Sequence, residues 1–383
     1  MLLFLFLPAP ARAQEGFEPI VTGLGFAVNV AFAPDGTMFV AEKDIGAILI
    51  VRNGQVAPEY FASVDADTRV NETGLLGLAL HPDFPDEPWV YAYYSDAGDQ
   101  RNHLVRFLAD GDVAVQRQTL LDLLPTTNGW HNGGDLTFGP DGMLYVSVGE
   151  GHDAPQAQDP SALGGRILRL EPDGSIPVDN PFGAGNPTFA LGIRNSFGLC
   201  VDGRAGELWE TENGPSGWDE INRIEPGGNY GWPAHLGPGG GPAFVEPVLA
   251  FEETIVPTGC AGSAYAGGLY FGEGYTGNLH RMVISGPGKA PRDTVIATFE
   301  GGITDVALDP TGALILVTPN AIYRGLGGVV GAPATTSGVS MRPTPSPSPS
   351  TGGPFAALGT GVGLLVAVVL AAFILWYRGR ANR

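Results

Sequence analysis

The sequence predicts an all-β fold, a six-bladed β-propeller, and two observations carry that expectation. One phrase recurs along residues 17–326: an apolar run, a turn of the Pro-Asp-Gly kind, then a second apolar run. No long amphipathic helix interrupts it, which argues against an α/β arrangement. Six copies over about 310 residues fall near the spacing of roughly 40–50 residues that propeller blades show. Ring closure would also remove exposed sheet edges. A pair of β-sandwiches is the alternative, and it would not call for repeats of even length.

In chain order, NVAFAPDGTMFVAE begins at Asn29 and GLALHPDFPDEPWVYAYY at Gly77. DLTFGPDGMLYVSVGE begins at Asp135, GLCVDGRAGELWETENG at Gly198 and TDVALDPTGALILVTP at Thr304. A weaker copy, GGLYFGEGYTGNLHRMVISG, lies between the last two. The 58 glycines and 33 prolines concentrate at turns between apolar runs, so they mark many short strands and not disorder.

The two ends differ from the repeat. Residues 1–13 are expected to be a signal peptide, with an apolar start and Ala11-Arg12-Ala13 as a small-x-small cleavage site. Residues 331–354 are rich in Pro, Ser and Thr, the composition of an extended, disordered stalk. Residues 355–377 are apolar and uncharged, long enough for a transmembrane helix. Arg378, Arg380 and Arg383 make 378–383 a basic cytoplasmic tail. The propeller is then extracytoplasmic, on a single-pass membrane anchor.

The net charge of −20 over 383 residues excludes nucleic acid as a partner, since phosphate contacts need Lys and Arg. Carboxylates can instead hold Ca2+. Cys200 and Cys260 are the two cysteines. They are expected either to pair in an oxidising compartment or to stay as buried thiols.

The chemistry concentrates in Trp130–Gly151, WHNGGDLTFGPDGMLYVSVGEG. Two β runs flank a Gly-Pro-Asp-Gly turn, so an antiparallel pair would bring His131 and Glu150 together. An imidazole oriented by a carboxylate is a general-base unit. A surface histidine beside an incidental glutamate would give the same two letters. Other glycine-rich polar phrases are expected on the same rim: Asn71-Glu72-Thr73-Gly74, Gly192–Asn195, Glu212–Glu220 and Asn229–Pro233. Carbonyls of Gly214 and Pro215 with the Glu220 carboxylate could serve Ca2+, although a solvated acidic turn has the same spacing. The fork of Arg194 could hold an anionic ligand. Asn71-Glu72-Thr73 is also a glycosylation sequon.

These phrases together resemble the glucose/sorbosone dehydrogenase family. The motifs are ETGLLGLALHPDF (72–84), HNGGDLTFGPDGMLYVSVGEG (131–151), GGRILRLEPDGSIPVDNPF (164–182), GIRNSFGL (192–199) and ENGPSGWDEINRIEPGGNYGWP (212–233). The resemblance implies a propeller that binds pyrroloquinoline quinone (PQQ) over Ca2+ and oxidises an aldose sugar or related alcohol. It implies His131 as general base and Glu150 as the residue orienting it. Glu72, Arg194 and Asn195 match cofactor contacts. Gly214 and Pro215 match carbonyls on the cofactor's Ca2+, and Glu220 and Tyr230 match a further Ca2+ site. Two cofactor-binding cations of the family fall at Ser285 and Thr304, and Arg281 is the expected substitute. Those losses point to a non-catalytic binding propeller as the alternative, and fold analogy adds a calcium-dependent hydrolase. A respiratory electron acceptor would suit the membrane anchor.

Overall fold

The computed structural model describes residues 15–69, 72–126, 128–203, 205–262, 268–285 and 289–326. Six antiparallel sheets follow one another, five of four strands and one of five. The first strands of the blades are Ala27–Phe32, Leu75–Leu80, Gly133–Phe138, Ser196–Val201, Pro257–Gly262 and Asp305–Leu308. Each contacts the first strand of the next blade, and these six line the axis. The sixth blade takes its outer strand from the start of the chain. Phe17–Thr22 pairs antiparallel with Ala321–Gly325, which closes the ring.

Each blade is buried on both faces, which is why its strands read as near-continuous apolar runs. Along Trp89–Ser95 side chains alternate between faces. Val90, Ala92 and Tyr94 pack with Phe39 and Ile48 of the first blade. Tyr91 and Tyr93 pack with Leu144, Val146 and Val148 of the third.

At the axis the blades are tied by polar bonds to backbone. Asn29 accepts from the Leu78 amide at 3.1 Å and donates to Asp135 at 3.2 Å. Asp135 also accepts from Leu199 N at 2.7 Å. Asp305 accepts from Val30 N at 3.0 Å. Thr258 donates to the Ile303 carbonyl at 2.8 Å. Glycine permits the close approach: a Cβ on Gly198 would lie 2.4 Å from the Thr258 oxygen. Cys200 and Cys260 form a disulfide between neighbouring axial strands of blades four and five, which settles the open pairing.

The first-to-second-strand turns, such as Pro34-Asp35-Gly36 and Pro140-Asp141-Gly142, lie at one end of the ring. All the phrases expected on a rim lie at the other. The fifth blade departs from the pattern. Its weak copy covers the second and third strands, Gly268–Glu273 and Asn278–Val283, where the other copies cover the first and second. Among the described residues no helix is long and apolar enough to cross a membrane. The expected signal peptide, stalk and span lie outside the described residues, as does Asn71.

A second buried imidazole sits in the fifth blade. His280 is 3% exposed and lies between Glu273 (Nε2–Oε1, 2.7 Å) and Asp293 (Nδ1–Oδ2, 2.8 Å). Burial lowers its pKa, but the bonds to Asp293 and Glu273 outweigh it and hold the group at about 9. A raised folded pKa means stability fully present below the unfolded value of about 6.5 and lost as pH rises through about 9. The wild-type urea midpoint is therefore expected to fall between pH 6 and 9.5, by up to about 3 kcal/mol from this group. His280→Gln should remove that part of the slope. An unchanged slope in the variant would refute the assignment.

Candidate functional site at the rim

The site grows out of a local problem repeated in several blades. The two amides that precede an axial strand have no ladder partner and need an acceptor. In the first blade Glu42, at the end of the second strand, accepts from Gly25 N and Phe26 N at 2.8 and 2.7 Å. In the fourth, Glu212 does the same for Arg194 N and Asn195 N at 2.8 and 2.7 Å. His131 and Asn132 hold the equivalent positions before Gly133–Phe138. Here the His131 amide is taken by Glu72 of the preceding blade, at 2.7 Å. Glu150, close behind Leu144–Val148, is thereby free to bind the imidazole. The fifth blade repeats the substitution: Asp219 caps Ile255 N and Val256 N at 2.7 and 2.8 Å, and Glu273 is left for His280.

His131 and Glu150 thus meet as the strand pair predicts, through Nδ1 and Oε1. Both are buried, at 6% and 1% exposure. The other ring nitrogen, Nε2, lies 2.8 Å from Nη2 of Arg194. A guanidinium has no acceptor, so Nε2 accepts, and Nδ1 carries the proton toward Glu150. That tautomer leaves a lone pair on the pocket side. His131 has φ +56°, a left-handed conformation uncommon outside glycine. The chain packs closely behind it, since a Cβ on Gly149 would stand 2.1 Å from the His131 oxygen.

Arg194 joins the base to a second set of residues. Its Nη1 donates to the carbonyls of Asn213 and Gly214 at 2.6 and 3.2 Å. Its guanidinium carbon lies 5.4 Å from the Trp232 ring. Asn195 donates to Glu72 at 3.1 Å. Nε of Arg194 and Oδ1 of Asn195 are buried without a partner among the described residues. Beyond Arg194 lies a narrow cleft lined by Glu212, Glu220, Trp218, Tyr230, Trp232 and His235 among others.

The cleft is rich in buried carboxyl groups. Burial pushes Glu212 up to about 8, against the bonds it takes from Asn195 N and Arg194 N. Burial likewise raises Glu220 and Glu72. Glu220 and Tyr230 border the same cleft, but the Tyr230 hydroxyl is engaged: it donates to the Arg223 carbonyl at 2.7 Å and accepts from Glu225 N at 2.8 Å. Gly214 turns its carbonyl to Arg194, and Pro215 is exposed.

The expected substitute cation is overturned. Asn278–Val283 runs away from the rim, because Glu273 at the rim pairs with Pro257 and Val283 at the far end pairs with Gly268. Ser285 follows Val283, so it stands at the end opposite His131, and Arg281 lies mid-strand on a third, peripheral strand. Neither faces the pocket. The rim loops of that blade are residues 252–256 and 274–277, which carry no Lys or Arg. They carry Tyr275, 67% exposed. Thr304 does lie at the rim, but its hydroxyl donates to backbone carbonyls within the fold, Ala27 at 2.9 Å and Val317 at 3.1 Å. On the rim loops of blades five, six and one the basic residue is Lys43, paired with Asp44 at 2.9 Å.

Two participants escaped the sequence reading. Glu212 positions Arg194 and Asn195, and its likeness to Glu42 at a strand end was the available signal. His152, with φ +63°, sets its ring 4.9 Å from that of His131, and nothing in its spacing marks it.

The family model for glucose / sorbosone dehydrogenase matches residues 24–324. Aldose sugar dehydrogenase YliI of Escherichia coli K12 is 37% identical over 233 residues, covering 58% of this chain and 63% of its own. Quinoprotein glucose dehydrogenase B of Acinetobacter calcoaceticus is 31% identical over 259 residues, covering 58% of this chain and 54% of its own. The chain therefore spans a little over half to two thirds of these two relatives. The PQQ-bound aldose sugar dehydrogenase of Streptomyces coelicolor superposes with a TM-score of 0.73 at 34% identity, covering 82% of this chain and 98% of that one. The ring, the rim residues and these likenesses together make the chain a member of the glucose/sorbosone dehydrogenase family.

Proposed function

We propose that the chain is an extracytoplasmic, membrane-anchored PQQ- and Ca2+-dependent dehydrogenase of an aldose sugar or related alcohol. The observation that carries the reading is the setting of His131, with Nδ1 on the Glu150 carboxylate and Nε2 on the Arg194 guanidinium at 2.8 Å. In this reading Nε2 takes the proton of a sugar hydroxyl. Glu150 holds the ring in place and stabilises the imidazolium that forms. PQQ, when bound, supplies the two-electron acceptor. Arg194 must give up Nε2 before a hydroxyl can approach it, and an anionic cofactor is the partner that would draw the guanidinium away. The His131 wall fits such a group, because the Arg194 Nε donor lacks a partner there and could donate to a carboxylate. Gly214 and Pro215 carbonyls, with Glu220 and Tyr230 nearby, are the candidate Ca2+ ligands.

Among the described residues the wall with Thr304 and Tyr275 offers no guanidinium or ammonium, and Lys43 on the first blade's rim is paired with Asp44 at 2.9 Å. Quinone affinity is therefore expected to rest on Arg194 and to fall steeply with salt. The test is a PQQ titration of the protein in Ca2+, read by calorimetry, followed by dye reduction with aldoses. Absence of binding at micromolar PQQ would overturn the quinone reading. Lactone hydrolysis without quinone would support the hydrolase instead. Tight PQQ binding with no sugar oxidation would support a binding propeller.

A further inference from the structure

The second blade carries, on the same rim, a group of side chains that the dehydrogenase reading does not use. Asp96, Asp99 and His103 lie on the hairpin between Trp89–Ser95 and Arg101–Asp110. One ligand atom from each falls within 4.8 Å of the others. We propose that this hairpin is a site for a divalent transition-metal ion, with Asp96, Asp99 and His103 as ligands.

His103 is a built ligand. It is 8% exposed and stacks on Tyr94 with ring centres 5.5 Å apart. Its Nδ1 lies 2.8 Å from Asp122 Oδ1, on the neighbouring strand. That is an ion-pair distance without hydrogen-bond alignment, so Nδ1 has no hydrogen-bond partner among the described residues. Nε2, the nitrogen aimed into the cluster, lies 3.1 and 3.0 Å from the two Asp99 oxygens. Asp96 is held in place by the Tyr94 hydroxyl at 3.1 Å and by Gly98 N at 2.8 Å. Three acceptors converge. One proton on Nε2 would answer one of these contacts, whereas a cation answers all three.

With bonds of about 2.0–2.2 Å, tetrahedral ligands of a zinc-like ion stand roughly 3.3–3.6 Å apart, so His103 and Asp99, now 3.0 Å apart, would open slightly around the ion. An imidazole beside carboxylates suits Zn2+ or Mn2+, whereas Ca2+ takes oxygen ligands. The Asp99 side chain is 49% exposed, so water can complete the shell. The ion would also act on the base loop. Asn102, beside His103, donates to Asn132 Oδ1 at 3.0 Å and accepts from Ser95 Oγ at 2.7 Å, and Asn132 follows His131. Metal bound at the hairpin tip would stiffen the support behind His131. The site neither shares ligands with the fourth-blade cleft nor depends on the quinone.

The test is a Zn2+ titration of the chelator-stripped full chain, by calorimetry and thermal shift, with Ca2+ as control. His152→Gln accounts for binding at the His131–His152 pair. One 1:1 event is expected, weakened at least tenfold in His103→Gln and in Asp99→Asn. Asp99 is exposed enough that its variant keeps the fold, which circular dichroism checks. An isotherm the same in wild type and Asp99→Asn would overturn the proposal. So would the absence of Zn2+ binding, or displacement of Zn2+ by equimolar Ca2+. An anomalous peak beside His103 Nε2 in zinc-soaked crystals would place the ion directly.

Discussion

His131→Ala is expected to lower sugar oxidation by about 10²- to 10⁴-fold, the range a positioned general base contributes. PQQ affinity should change little, because the proposed cofactor contacts are Glu72, Arg194 and Asn195. The fold should persist as well, although Glu150 is 1% exposed and loses its partner. The Glu150 amide still donates to the Arg194 carbonyl at 2.9 Å, and the Glu72 carboxylate still receives the amide of residue 131. Glu150→Gln is the milder counterpart. It keeps a hydrogen bond to the ring but removes the charge that stabilises the imidazolium, so turnover should fall with little change in KM. Steady-state kinetics beside a PQQ titration separate these effects. A His131→Ala enzyme within about tenfold of wild type would remove His131 from the reaction.

The largest stability effect is expected at the axis. Asp135 is buried and accepts bonds from Asn29, Leu136 N and Leu199 N. Asp135→Ala strands those donors and should cost about 3–5 kcal/mol, seen as a lower urea midpoint. The same residue predicts an unusual pH dependence. Burial pushes Asp135 up to about 7, against the bonds it accepts. Asp305 is driven well above the carboxylate range, by burial first and then by the charge of Asp135. Raised folded pKa values mean the folded state holds protons more tightly than the unfolded chain. The contribution is then fully present below the unfolded value of about 4 and lost as pH rises through about 7. Wild type should be more stable at pH 5 than at pH 8, and Asp135→Asn should flatten that difference. His280 weakens the protein in the same direction at higher pH, so the two variants together apportion the slope. A wild-type midpoint that rises from pH 5 to pH 8 would contradict the axial account.

The ring was legible because five blades write their first two strands in one phrase, and both are buried between neighbours. The fifth blade hid its first strand, Pro257–Gly262. That strand runs beside Gly198 and Asp305, where small residues let backbones touch, so bulk hydrophobicity is absent where the pattern looks for it. Outer strands such as Gln55–Val56 are short and exposed and leave no period. In the site, His131 and Glu150 were legible as the two open ends of one hairpin. Glu212 was not, because a carboxylate that caps backbone amides has no fixed partner in sequence. Ser285 was misplaced because strand direction cannot be counted from a blade whose first strand was missed.

The pairing of Phe17–Thr22 with Ala321–Gly325 also sets an order of events. The earliest strand made has no edge to join until nearly the last one has appeared. During synthesis the ring is an open arc, with two unsatisfied borders more than 300 residues apart in sequence. The ring therefore cannot close until residues 321–325 have been made.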